Sequence, residues 1–231
     1  MKIFYGSDLH LEFIKSLKHI PEVPECDLLL LAGDIFTPWG MTETDRTMFE
    51  LFFTKCSANA KQTLMVMGNH EHYNGTFVDT ATLIREQLAP YNNIQLLDCE
   101  IYQNNDLKVF GATFWTDLRN KHPEVVWDTQ RYMTEYQCVK FSEDMYNPYN
   151  LPATKLRAAD TLNENHYARQ KLQEFFKQEG RLIVLTHMAP DYDTCTEQHD
   201  NLSFAYSNTN INLYDVPKHD WIYGHMHSRH E

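Results

Sequence analysis

What this sequence does without narrows the possibilities first. It has no CxxC pair. Its five cysteines, Cys26, Cys56, Cys99, Cys138 and Cys195, are odd in number and widely scattered, which argues against a zinc ribbon or a disulfide framework and leaves reduced thiols in the cytoplasm as the expectation. The N-terminus lacks a basic stretch leading into an apolar one, so no removable signal peptide is expected. No apolar run approaches the ~20 residues of a membrane-spanning helix, and no amphipathic anchor for a lipid surface stands out. Basic residues are in deficit: 20 Lys and Arg against 32 Asp and Glu give a net charge of −12. Bulk attraction to nucleic acid is therefore not favoured. A nucleic-acid substrate stays open, because bound divalent cations would make a site locally positive. Repeats, low-complexity tracts and domain linkers are missing too. With 231 residues, 42% of them hydrophobic, residues 1–231 are expected to form one domain with a substantial core.

What is present alternates between two periods. Lys2 to Gly6, Asp27 to Ala32, Thr63 to Met67, Arg181 to Thr186 and His219 to Tyr223 read as short buried strands. Thr42 to Ala60, capped by Thr42 or Thr44, Thr76 to Leu88 and Asp160 to Gln178 read as helices. A weaker helix is predicted over Glu12 to His19. Between the second and third helices lie three short strands, Ile94 to Leu97, Cys99 to Gln103 and Leu107 to Phe110, with a hairpin signal at Asn104-Asn105-Asp106. Residues 118–152 are irregular and rich in aromatic and polar side chains, an expected insertion facing substrate. This order predicts an α/β sandwich of sheets flanked by helices.

Five of the strand-like runs end in side chains that bind metals. They lead into Asp8-Leu9-His10, Gly33-Asp34, Gly68-Asn69-His70-Glu71, Thr186-His187 and Gly224-His225-Met226-His227. In an extended strand end, residues two apart point to one side, so Asp8 pairs with His10 and His225 with His227. One such pair alone is a weak signal; five clusters after five strands are not. Oxygen and imidazole donors without thiolate suit Mn²⁺, Fe, Zn²⁺ or Mg²⁺. Two ions need a bridging carboxylate, for which Asp34 at the end of the Leu-rich strand is the candidate. Ions ~3.5–4 Å apart lower the pKa of a shared water and clamp the oxygens of an in-line displacement, which points to phosphoester hydrolysis.

In this order the five blocks resemble the calcineurin-like metallophosphoesterase superfamily, and the resemblance runs from residue 8 to residue 227. It implies a four-layer αββα sandwich of two mixed β-sheets with a dimetal site at the C-terminal ends of the strands. It implies that Asp8, His10 and His227 hold one metal, that Asn69, His187 and His225 hold the other, and that Asp34 bridges. It gives His70 the part of general acid and transition-state stabiliser, and Glu71, where many members have Asp, the part of orienting that histidine. The cofactor expectation is two divalent ions, Mn²⁺ favoured, with Fe, Zn²⁺, Ni²⁺ or Mg²⁺ as alternatives. Small bacterial and phage phosphoesterases look nearer still, through Ser7 to Phe13 and Trp115-Thr116-Asp117; where they carry M-N-D-Y-R this chain has Met133-Thr134-Glu135-Tyr136-Gln137.

The expected substrate is a small phosphodiester or nucleotide-like molecule, with His72 and Trp115 as candidate contacts; a structural role is the plain alternative for each. Phosphomonoesters, phosphoproteins and nucleic acid are alternative substrates for the same site. A mononuclear enzyme is a further alternative. So is a non-catalytic scaffold, although degenerate members lose ligands or the histidine, and here all stand. No membrane partner is expected, and the oligomeric state is not legible.

Overall fold

A computed structural model describes residues 1–142, 154–191, 201–209 and 219–226. Two four-stranded sheets lie face to face. The first has the order β1 (Ile3–Gly6), β2 (Cys26–Ala32), β3 (Ala60–Val66), β4 (Ile94–Leu96), and the second β5 (Glu100–Asn104), β6 (Leu107–Ala112), β7 (Arg181–Thr186), β8 (His219–Ile222). The first sheet is parallel throughout; the second mixes an antiparallel β5–β6 hairpin with parallel β6, β7 and β8.

Side-chain alternation builds the layers. Along β2, Leu28, Leu30 and Ala32 face inward, where they meet Val109 of β6 and Ile183 and Leu185 of β7. Leu29 and Leu31 face outward and join Phe49, Phe52 and Phe53 of helix α1 (Glu43–Asn59). Helix α2 (Thr80–Leu88) adds Ala81, Ile84 and Leu88 to that outer layer. On the far side, α6 (Ala158–Phe175) lays Ala168, Leu172 and Phe175 against Phe110, Leu182 and Val184 of the second sheet. The result is the sandwich of two sheets flanked by helices that the resemblance implied. Burial of each inward leucine is worth roughly 2 kcal/mol. Truncating Leu30, which is fully buried, to Ala should open a cavity costing about 2–5 kcal/mol.

Local signals set most boundaries. Thr42 caps α1 through a reciprocal box with Asp45. The β5–β6 turn passes through Asn105 with a positive φ of 52°, which Asn tolerates. The stretch Glu12 to His19 does not form the expected helix. It makes two 3₁₀ turns, Leu11–Phe13 and Leu17–His19, because His10 enters in the left-handed region and Leu11 N–H is tied to the Ile35 carbonyl at 2.9 Å.

Part of the expected insertion is helical: α3 (Leu118–Lys121), a single left-handed turn, α4 (Pro123–Tyr132) and α5 (Glu135–Cys138). These close over their own small core of Leu118, Val125, Tyr136, Val139 and Leu156. Residues 143–152 of that segment lie outside the described residues. Among the described residues, no helix is long and apolar enough to cross a membrane.

Candidate metal centre

Parallel strands deliver the five motif loops to one rim, and main-chain bonds lock the loops together. Asp8 N–H donates to the Gly33 carbonyl at 3.0 Å and His10 N–H to the Asp34 carbonyl at 3.1 Å. The two sheets are also cross-linked here. Asp8, after β1, accepts the His225 N–H on both carboxylate oxygens at 3.2 and 3.1 Å. His187, after β7, bonds the Ala32 carbonyl at 2.8 Å through Nδ1. The glycines are dictated by closeness: a Cβ on Gly68 would lie 2.7 Å from Asp34 N and would strike its carboxylate, and Gly33, at φ 82°, would put one 2.6 Å from His187 Nδ1. Asp8, His10, Asp34 and His225 all adopt positive φ, between 45° and 67°.

Beside a group of His10, Glu12 and His70, two clusters of candidate ligands result among the described residues, Asp8–His10–Asp34 and Asp34–His187–His225, each with its ligand atoms within 4.8 Å of one another. They share Asp34. Asn69 joins the second. His187 Nε2 lies 3.2 Å from Asn69 Oδ1, 3.1 Å from His225 Nδ1 and 3.3 Å from Asp34 Oδ2. The hydrogen-bond pattern says which atoms face inward. His187 Nδ1–H donates to a carbonyl, so Nε2 presents its lone pair. Asn69 donates through Nδ2 to the Tyr73 hydroxyl at 2.8 Å, so its carbonyl oxygen faces the cluster. Lone pairs from nitrogen, amide oxygen and carboxylate therefore converge on one buried region, an arrangement that a cation resolves. Ligands ~2.0–2.1 Å from a metal stand about 3.0–3.4 Å apart, the spacing seen here. His227 lies outside the described residues.

The electrostatics fit the same conclusion. Burial opposes charge on Asp34, but the His187, His225 and His70 imidazoles hold its carboxyl well below the usual range. Burial pulls His187 down, and the carboxylates of Asp34 and Asp8 more than reverse this, raising it to about 9. The cluster draws in protons to balance its carboxylates, which is the demand that a divalent cation meets.

Nearly the whole chain, residues 1–229, matches the family model described as calcineurin-like phosphoesterase. The chain belongs to the calcineurin-like phosphoesterases. Among its relatives is uncharacterized protein L509 of Acanthamoeba polyphaga mimivirus, 27% identical over 96% of this chain and 83% of that protein. Among solved structures, the phosphopantetheinyl hydrolase PptH from Mycobacterium tuberculosis shares the fold, with a TM-score of 0.61 at 16% identity over 98% of this chain and 83% of that one. Family membership and the twin clusters together make this a metal-dependent hydrolase with a dinuclear type of site.

Within the phosphoesterase, His70 stands at the edge of the clusters, its main-chain N–H donating to Asp34 Oδ1 at 2.9 Å. Tyr73 stacks on its ring at 4.3 Å, and His10 meets it edge-on at 4.4 Å.

Glu71 does not touch that ring in the role expected for it. Fully buried, it turns away and accepts four main-chain N–H groups, from Asp34, Ile35, Phe36 and Gly68, at 3.0, 2.7, 3.3 and 2.6 Å. It braces the Gly33 and Gly68 loops against each other. The 3₁₀ turn His70–His72 explains the change, since adjacent residues on such a turn point about a third of a revolution apart.

The carboxylate that does meet His70 is Glu12, whose Oε1 lies 3.2 Å from His70 Nδ1 and 3.3 Å from His10 Nδ1. Burial works against its charge, yet the two histidine bonds hold Glu12 at about 2. The sequence carried a sign of it: Asp8, His10 and Glu12 continue the same every-second-residue spacing.

His72 and Trp115 are also placed otherwise than expected. Both are buried, and they line a cavity of about 230 Å³ between α2 and α6, with Phe77, Phe114 and Ala168. His72 stacks on Phe77 at 4.9 Å. The apolar side chains of Phe77, Ala81, Phe114 and Ala168 account for this, drawing in both rings where a substrate contact needs exposure.

Proposed function

We propose that this phosphoesterase hydrolyses a phosphodiester, small or nucleotide-like, with two divalent cations, manganese favoured over iron, zinc, nickel or magnesium. The reading is carried by one observation: two ligand clusters share Asp34 and have an imidazole outside both of them, His70, at their edge. In this reading Asp8, His10 and His227 hold one cation, Asn69, His187 and His225 hold the other, and Asp34 holds both. The bound cations would supply an activated water and neutralise the phosphoryl oxygens.

The residues of the chain do the rest. Glu71 keeps the Asp34 and Asn69 loops at fixed separation. Tyr73 keeps the Asn69 amide turned oxygen-inward, as a second-layer partner does for a ligand. The water oxygen makes the new P–O bond while the opposite P–O bond breaks and its electron pair leaves with the ester oxygen. His70, carrying a proton on each ring nitrogen, gives that oxygen the one on Nε2, and the proton lost by the water passes to solvent.

Two features support a diester. None of the described side chains named around the clusters is a lysine or arginine, the groups that would balance the second negative charge of a monoester. Phe13, 67% exposed, holds its ring 6.1 Å from that of His70, an apolar surface beside the leaving group. The surplus of acidic residues counts against long nucleic acid. The intact His70 counts against a scaffold.

The test is a panel: an aryl phosphodiester, the matching monoester, cyclic nucleotides, single-stranded DNA and a phosphopantetheinyl ester, each with Mn²⁺, Ni²⁺, Mg²⁺ or chelator. Diester turnover that needs Mn²⁺ and stops with chelator is expected. Turnover of the monoester alone, or turnover that survives chelation, would overturn the reading.

A further inference from the structure

The loop after β1 carries a carboxylate that the two clusters sharing Asp34 do not use, grouped instead with His10 and His70. Glu12 sits on the 3₁₀ turn Leu11–Phe13, held in place because Leu11 is buried and its N–H is tied to the neighbouring strand's loop. Its side chain is 14% exposed. One oxygen, Oε1, faces Nδ1 of both His70 and His10, whose rings meet edge to face at 69°. An ionised carboxylate only accepts, so each imidazole must turn a protonated Nδ1 toward it. For His70 this fixes the tautomer and the ring plane. The Tyr73 ring stacked on one face and the Phe13 ring at the edge leave it little freedom to turn. With Nδ1 committed, Nε2 is the nitrogen left for substrate.

Resting on the phosphodiesterase reading, we infer that Glu12 is the positioning residue of the reaction: it holds the His70 imidazole so that Nε2 is aimed at the leaving oxygen. Glu12 touches neither substrate nor reacting atoms. It acts through His70, as a second carboxylate acts on a general-acid histidine in other hydrolases. Glu71, next to His70 in sequence, cannot share the task, because its carboxylate is engaged by four main-chain donors.

The experiment compares the unaltered protein with Glu12→Ala, Glu12→Asp, His70→Ala and the double Glu12→Ala/His70→Ala variant, all loaded with metal and checked for metal content. Two diesters are used that differ only in the leaving group, a nitrophenol and a simple alcohol. A misaimed acid matters most where the leaving oxygen needs its proton. Glu12→Ala is therefore expected to lose about 10- to 100-fold in kcat on the alkyl ester, several-fold at most on the nitrophenyl ester, with KM little changed. The double variant should be no slower than His70→Ala alone, since both changes remove one function. Glu12→Asp should restore part of the loss.

Equal losses on both esters, additive losses in the double variant, or a missing equivalent of metal in Glu12→Ala would each overturn the proposal. A readout independent of turnover keeps it testable if the substrate reading itself fails. In nitrogen-15 spectra of the zinc-loaded protein, with His70 assigned by its absence in His70→Ala, the neutral ring, the form left once Nε2 has given up its proton, should be the Nδ1–H tautomer and lose that preference in Glu12→Ala. An unchanged tautomer would overturn the inference whatever the substrate.

Discussion

His70 and His72 lie two residues apart on one turn, and their surroundings have nothing in common. The metal-facing side offers His70 a carboxylate from Glu12, a stacked Tyr73 and a tie to Asp34. The cavity-facing side offers His72 the faces of Phe77 and Trp115, and neither ring nitrogen finds a partner among the described residues. Burial alone pulls His72 down to about 4, so it stays neutral. In the proposed mechanism two identical side chains thus become a proton donor on one side and an apolar filler on the other. What separates them is the carboxylate, and between them Glu71 anchors the turn to the backbone.

The contrast can be broken most forcefully at His70. His70→Ala should lower kcat about 10²–10⁴-fold while the protein keeps two equivalents of metal; loss of a metal equivalent would show that the ring supports the centre and not the leaving group. Next comes the anchor. Glu71→Gln puts an amide NH₂ among four main-chain donors, leaving buried N–H groups unpaired, and should cost roughly 2–5 kcal/mol of stability in urea titration. A midpoint equal to that of the unaltered protein would remove the bracing role.

A pH test sharpens the metal-facing side. Glu135, from the M-T-E-Y-Q stretch, bonds Tyr73 yet is pushed up to about 7, chiefly by burial. A carboxyl raised above its ordinary 4.5 is worth most to the fold when protonated, so its contribution falls as pH climbs from 4.5 to 7 and stays low above. Glu135→Gln should therefore gain stability relative to the unaltered protein at pH 8.5, by up to about 3 kcal/mol. At pH 5 it should gain little. A pH-independent difference in melting temperature would contradict the assignment. The smallest effect belongs to the cavity side. His72→Phe should leave kcat within about twofold and raise stability by about 1 kcal/mol, since it removes two unpaired polar atoms from an apolar wall. A tenfold loss of turnover would return His72 to the site.

The same turn shows what sequence could and could not reveal. Strands β1, β2, β3 and β7 were legible to within a few residues, because Leu-rich runs such as Asp27 to Ala32 are buried on both faces and carry a pattern of their own. The ligand types at the rim were legible for a related reason: short polar clusters after apolar runs are costly unless used. Partner choice was not legible. Glu71 and Glu12 are both glutamates beside a motif histidine, and the nearer in sequence is the one that turns away. Which carboxylate reaches His70 depends on a 3₁₀ turn and on the tie between Leu11 and Ile35, contacts 24 residues apart in the chain. His72 and Trp115 failed likewise. Polar or amphipathic residues beside a catalytic motif look like substrate contacts until the packing of α2 and α6 closes over them. The helix expected over Glu12 to His19 fell to the left-handed entry at His10, which no periodicity announces.

That left-handed entry is one of four among the described motif residues at the rim. Asp8, His10, Asp34 and His225 hold backbone angles that cost an L-residue roughly 1–2 kcal/mol each, so the rim works against the rest of the molecule. Stability and activity consequently pull in opposite directions at the same positions. A population of variants screened only for surviving heat, with no demand for turnover, should lose these four residues early and drift toward glycine there, while the leucines of β2 stay put. The order in which residues disappear from such a screen would trace the outline of the active centre without any substrate being known.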